Sequence, residues 1–354
     1  MAFNLSQRSS PFIIAEISGN HMGSLDKAIS LVEAALEAGA DAVKFQTYTP
    51  DTITLDCDGP AFRVEGGLWD GRRLYDLYKE AHTPFEWHET LFNHARNIGI
   101  MPFSAPFDLS AVELLEHLDN EVYKIASCEL VDHQLIKAVA ATGKPMFIST
   151  GMATINEIDE ALKVAKENGS GEICLFHCIS GYPTPTSAAN LANIHDLARR
   201  FSVHVGLSDH SEDTLIASAA IAMGARVIEK HLCLSRTEGA IDSSFSLEPD
   251  EFSKMVQQCK STFEAIGSVT YGPTEVEQDS LRFRRSLYVA KQIKKGEEFT
   301  TANIRSVRPA GGLHVKHLPS IIGKKANCDL EKGTAVTLDI FDDDEENGQI
   351  GTIL

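Results

Sequence analysis

A regular alternation of short apolar runs and amphipathic segments constrains the fold of this chain more than any other feature. Eight apolar runs of six to eight residues, from PFIIAEIS to RVIEKHL, are each followed by a segment with helical spacing of apolar residues. Strands that alternate with helices form a parallel sheet, and eight such units in about 270 residues are typical of a closed (β/α)8 TIM barrel. An open, doubly wound sheet is less consistent, because the sequence lacks a GxGxxG loop and nearly every run ends in polar residues.

The alternation stops near residue 267 and so divides the chain. Residues 1–267 are predicted to form the barrel, and residues 268–281 have the composition of a linker. Residues 282–341 contain short alternating runs with tight glycine turns (KKGE and EKGT), which predict a small, β-rich C-terminal domain. The acidic residues 342–354 are predicted to be a solvated tail.

One insertion interrupts the barrel pattern. Residues 48–83 separate the second apolar run from a helix that is predicted to start at Pro84. The insertion is too long for a plain connection within a compact domain. Because long loops of this kind commonly carry function, we expect it to lie over the mouth of the barrel.

Composition argues against several classes of protein. The formal net charge of −18 disfavours nucleic acid as a partner, although local lysines can still bind an anionic substrate. No apolar run reaches membrane-spanning length, and the first residues do not resemble a signal peptide. The seven cysteines are scattered without a CxxC pair, as is typical of reduced thiols. These features predict a cytoplasmic protein without nucleic acid or membrane partners.

Two histidines stand at equivalent positions, just after the last two predicted strands. Neighbouring strands lie about 4.8 Å apart, so His210 and His231 are predicted to share one metal ion. The alternative is that each histidine caps a buried strand and is satisfied by backbone groups. Two protein ligands would leave positions for water and substrate, which favours Mn²⁺ or Mg²⁺ over a closed structural zinc site.

Two lysines lie inside apolar strand runs, AVKFQ and VYKIA. Lysine is rarely buried without a partner, so Lys44 and Lys124 are expected to point inward and meet an anion. The alternative is that they form structural ion pairs with Glu16 and Glu229. Several strands also end in serines, whose hydroxyls suit phosphate oxygens at the top of a barrel but also commonly cap helices. These serines are Ser104, Ser127, Ser149 and Ser208.

The combination of an anion site, an open metal site and a nearby carboxylate predicts a reaction between a phosphorylated molecule and a carbonyl compound. The metal would polarise the carbonyl as a Lewis acid, while the carboxylate manages a proton or orients water.

Seven motifs occur along the chain in a fixed order: IIAEISGNHMGS, DAVKFQT, YKIAS, ISTGMA, HCISGYPTP, GLSDHS and IEKH. In this order they resemble the sialic acid synthase family of phosphoenolpyruvate-dependent nonulosonic acid synthases. Residues 282–341, with the turn RPAGG, resemble the antifreeze-like (SAF) domain of that family. The resemblance covers nearly the whole chain. It implies a barrel that condenses phosphoenolpyruvate with an open-chain acetamido sugar and releases phosphate by C–O cleavage.

The resemblance also implies roles for the matching residues. His210 and His231 would hold the divalent metal, and Glu16 would position or activate the attacking water. Phosphoenolpyruvate would contact a set of lysines and hydroxyls, with Ser104 standing where the family often has threonine: Lys44, Ser104, Lys124, Ser127, Ser149 and Ser208. The sugar would contact a second set of polar residues: Gln46, Ser180, Tyr182 and Asp242. Arg308 would reach the N-acetyl group of the sugar in the barrel of a second subunit, which implies a domain-swapped homodimer.

Ser180 indicates which branch of the family this chain resembles. Neuraminate-forming members have asparagine at this place, in HCTN-x-YP. Serine, together with TYTPDTITLD, LYDLYKEAHTP and GAIDSSFSLEP, is similar to the pseudaminic acid synthase branch, whose sugar is 2,4-diacetamido-2,4,6-trideoxy-L-altrose. The alternative is an N-acetylneuraminate or legionaminate synthase.

Two further alternatives belong to other functional classes. A non-catalytic sugar-binding or coat protein on the same fold is disfavoured because Glu16, His210 and His231 are all present. A metal-dependent aldolase or isomerase would not require the two interior lysines or the C-terminal domain.

Overall fold

The computed structural model describes residues 3–341 of the chain. Two compact units are separated between Gly267 and Ser268. The predicted acidic tail, residues 342–354, lies outside the described residues.

The first unit contains a closed barrel of eight parallel strands in sequence order, which confirms the predicted fold. Pairing between the first and last strands closes the barrel. The strands β1 to β8 are Phe12–Glu16, Ala42–Thr47, Met101–Pro106, Tyr123–Ile125, Met146–Ser149, Ile173–Cys178, His204–Asp209 and Val227–His231.

Helices surround the barrel and bury one face each against the strands. Eight of them follow the predicted alternation: α1 (Leu25–Glu37), α4 (Phe85–Ile98), α5 (Leu109–His117), α6 (His133–Ala140), α7 (Ile155–Glu167), α8 (Ala192–Phe201), α9 (Leu215–Ala222) and α10 (Pro249–Ile266). The insertion adds two short helices, α2 (Pro50–Ile53) and α3 (Leu74–Ala81).

Polar residues at the ends of the strands start several of these helices. Thr154 and Glu157 form a reciprocal capping box at the start of α7, which satisfies backbone N–H groups that have no partner within the helix. Asp108 accepts a hydrogen bond from the Ala111 amide at the start of α5. Such caps fix where each connection leaves the mouth of the barrel.

The interior of the barrel is apolar at one end and charged at the other. Side chains alternate along a strand, so in β1 Phe12 and Ile14 face inward and Glu16 follows them at the carboxyl end. Phe12, Phe103, Phe147 and Phe176 belong to one buried cluster at the amino end. A second, larger cluster lies between the strands and the surrounding helices. The charged half of the interior is therefore the half that faces the mouth.

The second unit is small and β-rich. Its strands β9 (Ser286–Val289) and β10 (Ile304–Val307) pair antiparallel, and α11 (Leu318–Ile321) adds a single turn. This unit has its own buried cluster, which includes Leu287, Phe299 and Val336. The predicted linker, residues 268–281, is partly helical, because its second half belongs to the 3-10 helix Glu275–Phe283. None of the helices in the described residues is long and apolar enough to cross a membrane.

Candidate active site at the carboxyl end of the barrel

A network of buried charges lies where the interior meets the mouth. Glu16 is in register with Lys44 on β2 and with His231 on β8. The Nζ atom of Lys44 lies 2.6 Å from Oε2 of Glu16 and 3.5 Å from Oε1 of Glu229. The Nζ atom of Lys124 lies 3.2 Å from the same Glu229 oxygen. Two lysines and two glutamates are thus held together in the interior.

Both lysines therefore point inward. Both also form ion pairs with the glutamates of the network, as the alternative to anion binding predicted. These pairs leave room for a ligand. An ammonium group has three N–H donors, and Lys124 uses one of them in a hydrogen bond within residues 3–341. Its Nζ atom also lies 5.1 Å from the centre of the Phe176 ring, which cannot accept as a carboxylate does. Lys124 is therefore the freer of the two cations.

The two lysines differ in how firmly they hold their proton. Burial disfavours the charge of Lys44, but Glu16 and Glu229 more than offset this and raise its pKa. For Lys124 burial prevails over Glu229, so the pKa of Lys124 is lowered. Burial also opposes ionisation of Glu229, yet Lys124 and Lys44 lower the pKa of this carboxyl to about 2. Glu229 is therefore the fixed negative charge of the network.

His210 and His231 lie side by side, with ring centres 5.4 Å apart, and both are buried. Nδ1 of His210 donates to the carbonyl oxygen of Ile179 at 3.1 Å, so in the neutral imidazole Nε2 is the acceptor nitrogen. Nδ1 of His231 lies 3.7 Å from Oδ2 of Asp242, is buried, and makes no hydrogen bond with the described residues. Burial, reinforced by His210, lowers the pKa of His231 well below its ordinary value. A neutral imidazole is the form that binds metals.

This arrangement fits a divalent ion that is bound by few protein ligands. Within residues 3–341 no group of three or more His, Cys, Asp or Glu side chains is placed to hold a metal. The two histidines would therefore be the main protein ligands, and most of the coordination shell would be left to water and substrate. The observation that supports this fit is the buried Nδ1 atom of His231, which has no hydrogen-bond partner among the described residues.

Two of the predicted phosphate-binding serines lie close to this network. Ser208 donates a hydrogen bond to Oε1 of Glu229 at 3.1 Å. Ser149 is 2% exposed, and its Oγ atom has no hydrogen-bond partner among the residues the structure describes. A buried hydroxyl without a partner costs free energy unless a ligand supplies one. Ser149 is therefore a good candidate for a ligand contact.

Ser127 and Ser180 meet the loop that follows β5. The Oγ atom of Ser127 accepts the Gly151 amide at 3.2 Å. A Cβ atom on Gly151 would lie 2.7 Å from Ser127 Oγ and would also clash with Ser180 Oγ. Glycine at this position therefore permits the close approach of three loops at the mouth.

Ser104 lies apart from this group, contrary to the prediction. In the pairing of β2 with β3, Lys44 is level with Phe103, so the next residue along β3 faces the helices. The Oγ atom of Ser104 lies 2.6 Å from the hydroxyl of Thr47, which in turn lies 2.8 Å from Nε2 of His88 on α4. We therefore exclude Ser104 from the phosphate site.

The residues predicted to bind the sugar are brought together in part. Nε2 of Gln46 lies 3.4 Å from Oε1 of Glu16, and the Tyr182 ring lies 4.5 Å from the His210 ring. Burial, together with the nearby Glu16 carboxylate, raises the pKa of Asp242 to about 7. Arg308 belongs to the second unit, where its side chain is exposed, and its role remains a prediction.

Two aromatic residues at the site were not assigned from the sequence. Phe245 is 1% exposed and lies 4.9 Å from His231 and 5.2 Å from Tyr182, measured between ring centres. Trp69, from the insertion, lies 5.5 Å from Tyr182. Trp69 belongs to the insertion that was expected to cover the mouth of the barrel. No motif in the sequence indicated this particular residue.

Comparison with known proteins identifies the family and its relatives. Residues 31–271 match the NeuB family, and residues 284–341 match the SAF domain. The chain is 45% identical over 336 residues to a pseudaminic acid synthase of Campylobacter jejuni, which covers 94% of this chain and 97% of the relative. It is 41% identical to a pseudaminic acid synthase of Helicobacter pylori, over 93% of this chain and 97% of that one.

A solved structure gives the same result for the fold. The N-acetylneuraminic acid synthetase of Leptospira borgpetersenii, in complex with citrate, superposes with a TM-score of 0.71 and 30% identity. The match covers 79% of this chain and 95% of that structure. The present chain therefore belongs to the NeuB family and carries a C-terminal SAF domain.

Proposed function

We propose that this protein is a pseudaminic acid synthase. It condenses phosphoenolpyruvate with 2,4-diacetamido-2,4,6-trideoxy-L-altrose to give pseudaminic acid and phosphate. The assignment to the pseudaminic acid synthase branch rests on the near full-length similarity to the two pseudaminic acid synthases. One geometric observation carries the reaction class: Glu16 lies in register between Lys44 and His231, so a carboxylate stands between an anion-binding cation and a metal-binding imidazole.

The phosphate and carboxylate of phosphoenolpyruvate are bound by the interior cations and hydroxyls. Within the part of the chain that the structure describes, Lys124 has N–H donors without a partner and the Ser149 hydroxyl has no partner, so these two make new hydrogen bonds with the substrate. Lys44, Ser127 and Ser208 complete the set. Because most of these groups are buried, little water competes with the charged substrate, which strengthens each contact.

A divalent ion, Mn²⁺ or Mg²⁺, held by His210 and His231 would supply Lewis-acid polarisation of the sugar aldehyde. The protein residues position the reactants around it. Gln46, Ser180, Tyr182 and Asp242 orient the open-chain sugar, with its aldehyde carbon toward C3 of phosphoenolpyruvate.

Glu16 directs the water that completes the reaction. As the new C–C bond forms from C3, positive charge develops at C2 of the former phosphoenolpyruvate, which the Glu16 carboxylate stabilises. Glu16 takes a proton from the water that attacks C2, and this proton passes to the oxygen of the former aldehyde, which becomes a hydroxyl. The C2–O bond to phosphate then breaks with both electrons remaining on the phosphate, which takes the proton of the new C2 hydroxyl as C2 becomes a ketone. The net reaction converts phosphoenolpyruvate, the sugar and water into pseudaminic acid and phosphate.

The proposed assembly is a domain-swapped homodimer in which Arg308 acts in the barrel of the second subunit. Three apolar side chains at the start of the second unit support a partner. Val269, Tyr271 and Val276 are 89%, 95% and 90% exposed, which is unfavourable for three large apolar residues close together in the chain. The Arg308 side chain is also exposed, so it can contact a second molecule.

We place the enzyme in the cytoplasm, without nucleic acid as a partner. All seven cysteines are free thiols and four of them are buried, as in proteins of a reducing compartment. The net charge of −18 supports the absence of a nucleic acid partner.

The test is product analysis with a panel of acetamido sugars. Purified protein with Mn²⁺ and phosphoenolpyruvate is given the trideoxy altrose derivative, its legionaminate-forming isomer or N-acetylmannosamine, and the products are identified by mass spectrometry. We expect the highest kcat/KM with the trideoxy altrose sugar, and no product with Glu16→Ala. Preference for either other sugar would move the protein to the alternative branch. Turnover without phosphoenolpyruvate would indicate an aldolase or isomerase.

A further inference from the structure

Three aromatic rings form a continuous surface beside the histidine pair. We call Trp69, Tyr182 and Phe245 the aromatic wall. Ring centres are 5.2 Å apart for Tyr182 and Phe245, 5.5 Å for Trp69 and Tyr182, and 6.4 Å for Trp69 and Phe245. Tyr182 lies 4.5 Å from His210, and Phe245 lies 4.9 Å from His231. Trp69 is therefore the outer member, one ring beyond the histidines.

Local structure holds Trp69 in this position. It lies in a tight turn of the insertion, where the Val64 amide donates to the Arg72 carbonyl at 2.9 Å and Gly66 adopts a positive φ. The indole Nε1–H donates to the carbonyl oxygen of Ile241 at 3.3 Å, in the loop that follows β8. The indole is thus held by the hydrogen bond at its polar edge and by its ring contacts with Tyr182 and Phe245.

The aromatic wall is less buried than a cluster of core side chains. Phe245 is buried, whereas Trp69 and Tyr182 are only partly buried. An indole that is held by a hydrogen bond yet stays partly exposed offers a rigid apolar surface at low entropic cost. A surface of this kind beside a reaction centre binds the apolar part of a substrate.

The length of the wall matches a six-carbon chain. Five C–C bonds of about 1.5 Å extend to roughly 6 Å. A six-carbon chain is therefore about as long as the 6.4 Å between the ring centres of Trp69 and Phe245, and a sugar whose aldehyde lies beside the histidine pair would extend along Tyr182 and Phe245 toward Trp69. In the proposed substrate that end bears the C6 methyl group and the 4-acetamido methyl group, which are more apolar than the hydroxyls of N-acetylmannosamine.

We propose that Trp69 determines sugar specificity by packing against the deoxygenated, acetamido-bearing end of the acceptor sugar. This inference rests on the proposed function, since it assigns a residue to the recognition of that sugar. Tyr182 and Phe245 set the position of the indole, and the histidines set the position of the aldehyde.

Steady-state kinetics of Trp69→Ala and Trp69→Phe test the proposal. We expect Trp69→Ala to raise the KM for the trideoxy sugar about tenfold or more, with the KM for phosphoenolpyruvate changed by less than about twofold. Trp69→Phe keeps an aromatic face and should lie between wild type and Trp69→Ala. The preference for the trideoxy sugar over N-acetylmannosamine, as a ratio of kcat/KM, should fall in Trp69→Ala.

Trp87 supplies a matched control, because it is the other tryptophan of the chain and is also partly buried. It lies on α4, and its ring contact is with His21 rather than with a member of the aromatic wall. Trp87→Phe should leave both KM values unchanged. Thermal unfolding of all variants distinguishes loss of binding from loss of folding.

The same control variant gives a binding measurement without turnover. In Trp87→Phe, Trp69 is the sole tryptophan, so its fluorescence reports on its own surroundings. Titration with the alditol of the trideoxy sugar, which has no aldehyde and cannot condense, should change this fluorescence in the presence of phosphoenolpyruvate. In Trp69→Phe, where Trp87 remains, the alditol should have no effect.

Three results would overturn the proposal. One is an unchanged KM for the sugar in a folded Trp69→Ala variant. Another is an equal rise in both KM values, which would mean that Trp69 only supports the site. The third is a Trp69 fluorescence that does not respond to the alditol. A wild-type protein that forms no product from the trideoxy sugar would instead contradict the proposed function, so the two failures are separable.

Discussion

A single oxygen atom organises the charged interior of the barrel. Oε1 of Glu229 accepts hydrogen bonds from Lys124 and Ser208 and lies 3.5 Å from Nζ of Lys44. Glu229 was considered from the sequence only as a partner for the lysines. The structure shows why it matters: one carboxylate fixes the separation of two ammonium groups that would otherwise repel each other. The anion site that we propose depends on this residue even if no substrate atom contacts it.

Replacing Glu229 with glutamine should therefore affect stability and binding together. Loss of the charge leaves Lys124 buried without a counter-ion, and we expect the free energy of unfolding to fall by about 3 kcal/mol. Urea denaturation measures this, and the KM for phosphoenolpyruvate should rise in the same variant. Asp329→Asn, which breaks an exposed pair with Lys294, is the control and should change neither quantity. A Glu229→Gln variant as stable as this control would contradict the account.

At the scale of elements, an outward-facing lysine on β8 holds the loop that carries His210. Lys230 is 0% exposed and donates to Oδ2 of Asp209 at 2.8 Å and to Oγ of Ser211 at 3.1 Å, with further bonds to the carbonyl oxygens of Ser211 and Asp213. Asp209 and Ser211 flank His210, and Lys230 precedes His231 in the chain. The same side chain therefore fixes the positions of both histidines from behind the barrel wall.

Lys230→Met should consequently weaken metal binding as well as folding. We expect a lower affinity for Mn²⁺, measured by calorimetry without substrates, and a lower melting temperature, because Asp209 is left buried and unpaired. The double variant with Asp209→Asn removes that charge and should recover part of the stability but not the affinity. Normal Mn²⁺ affinity in folded Lys230→Met protein would show that the lysine does not position the histidines.

A second element is attached at the amino end of the barrel. The 3-10 turn Leu5–Gln7 is held by Glu172, whose carboxylate accepts from the Leu5 amide at 2.6 Å and from the Ser6 hydroxyl at 2.5 Å. Nε2 of His204 lies 3.1 Å from the same carboxylate. Partial burial opposes ionisation, but these hydrogen bonds outweigh it and lower the pKa of Glu172.

The sign of that shift predicts an acid-sensitive attachment. A carboxyl with a lowered pKa in the folded state contributes stability above its unfolded pKa of about 4.3, and this is lost as pH falls through the lowered value. Hydrogen exchange at the Leu5 and Ser6 amides should therefore accelerate in acid beyond the intrinsic dependence. In Glu172→Gln the exchange should already be fast at neutral pH. Equal protection in both proteins would remove Glu172 as the attachment point.

The elements themselves were predictable because strands and helices have different periods. Apolar runs and amphipathic segments of the right lengths can be read locally, and the capping residue Thr154 marks a boundary in the sequence. Ser104 was grouped with the phosphate-binding serines because it lies near the end of an apolar run, but the direction of its side chain depends on the phase of the strand, and a shift of one residue reverses it. Trp69 was missed because its hydrogen-bond partner, Ile241, lies 172 residues further along the chain.

At the scale of the whole molecule, the proposed dimer makes each active site a product of two chains. Equal amounts of Arg308→Ala and Glu16→Ala subunits should exchange to give heterodimers with one intact site of two. Random exchange would then restore about a quarter of wild-type activity, whereas each variant alone is inactive or nearly so. Light scattering should show a dimer for both. No recovery after verified exchange would place Arg308 outside the partner's site.

The central claim is that the charged end of this barrel joins phosphoenolpyruvate to an acetamido sugar with cleavage of the C–O bond. The most direct measurement uses phosphoenolpyruvate labelled with ¹⁸O in the oxygen that bridges carbon and phosphorus, with the trideoxy altrose sugar as acceptor. We predict a nine-carbon acid without the label and free phosphate that contains it. Label retained in the acid, or phosphate released without a nine-carbon product, would contradict the account.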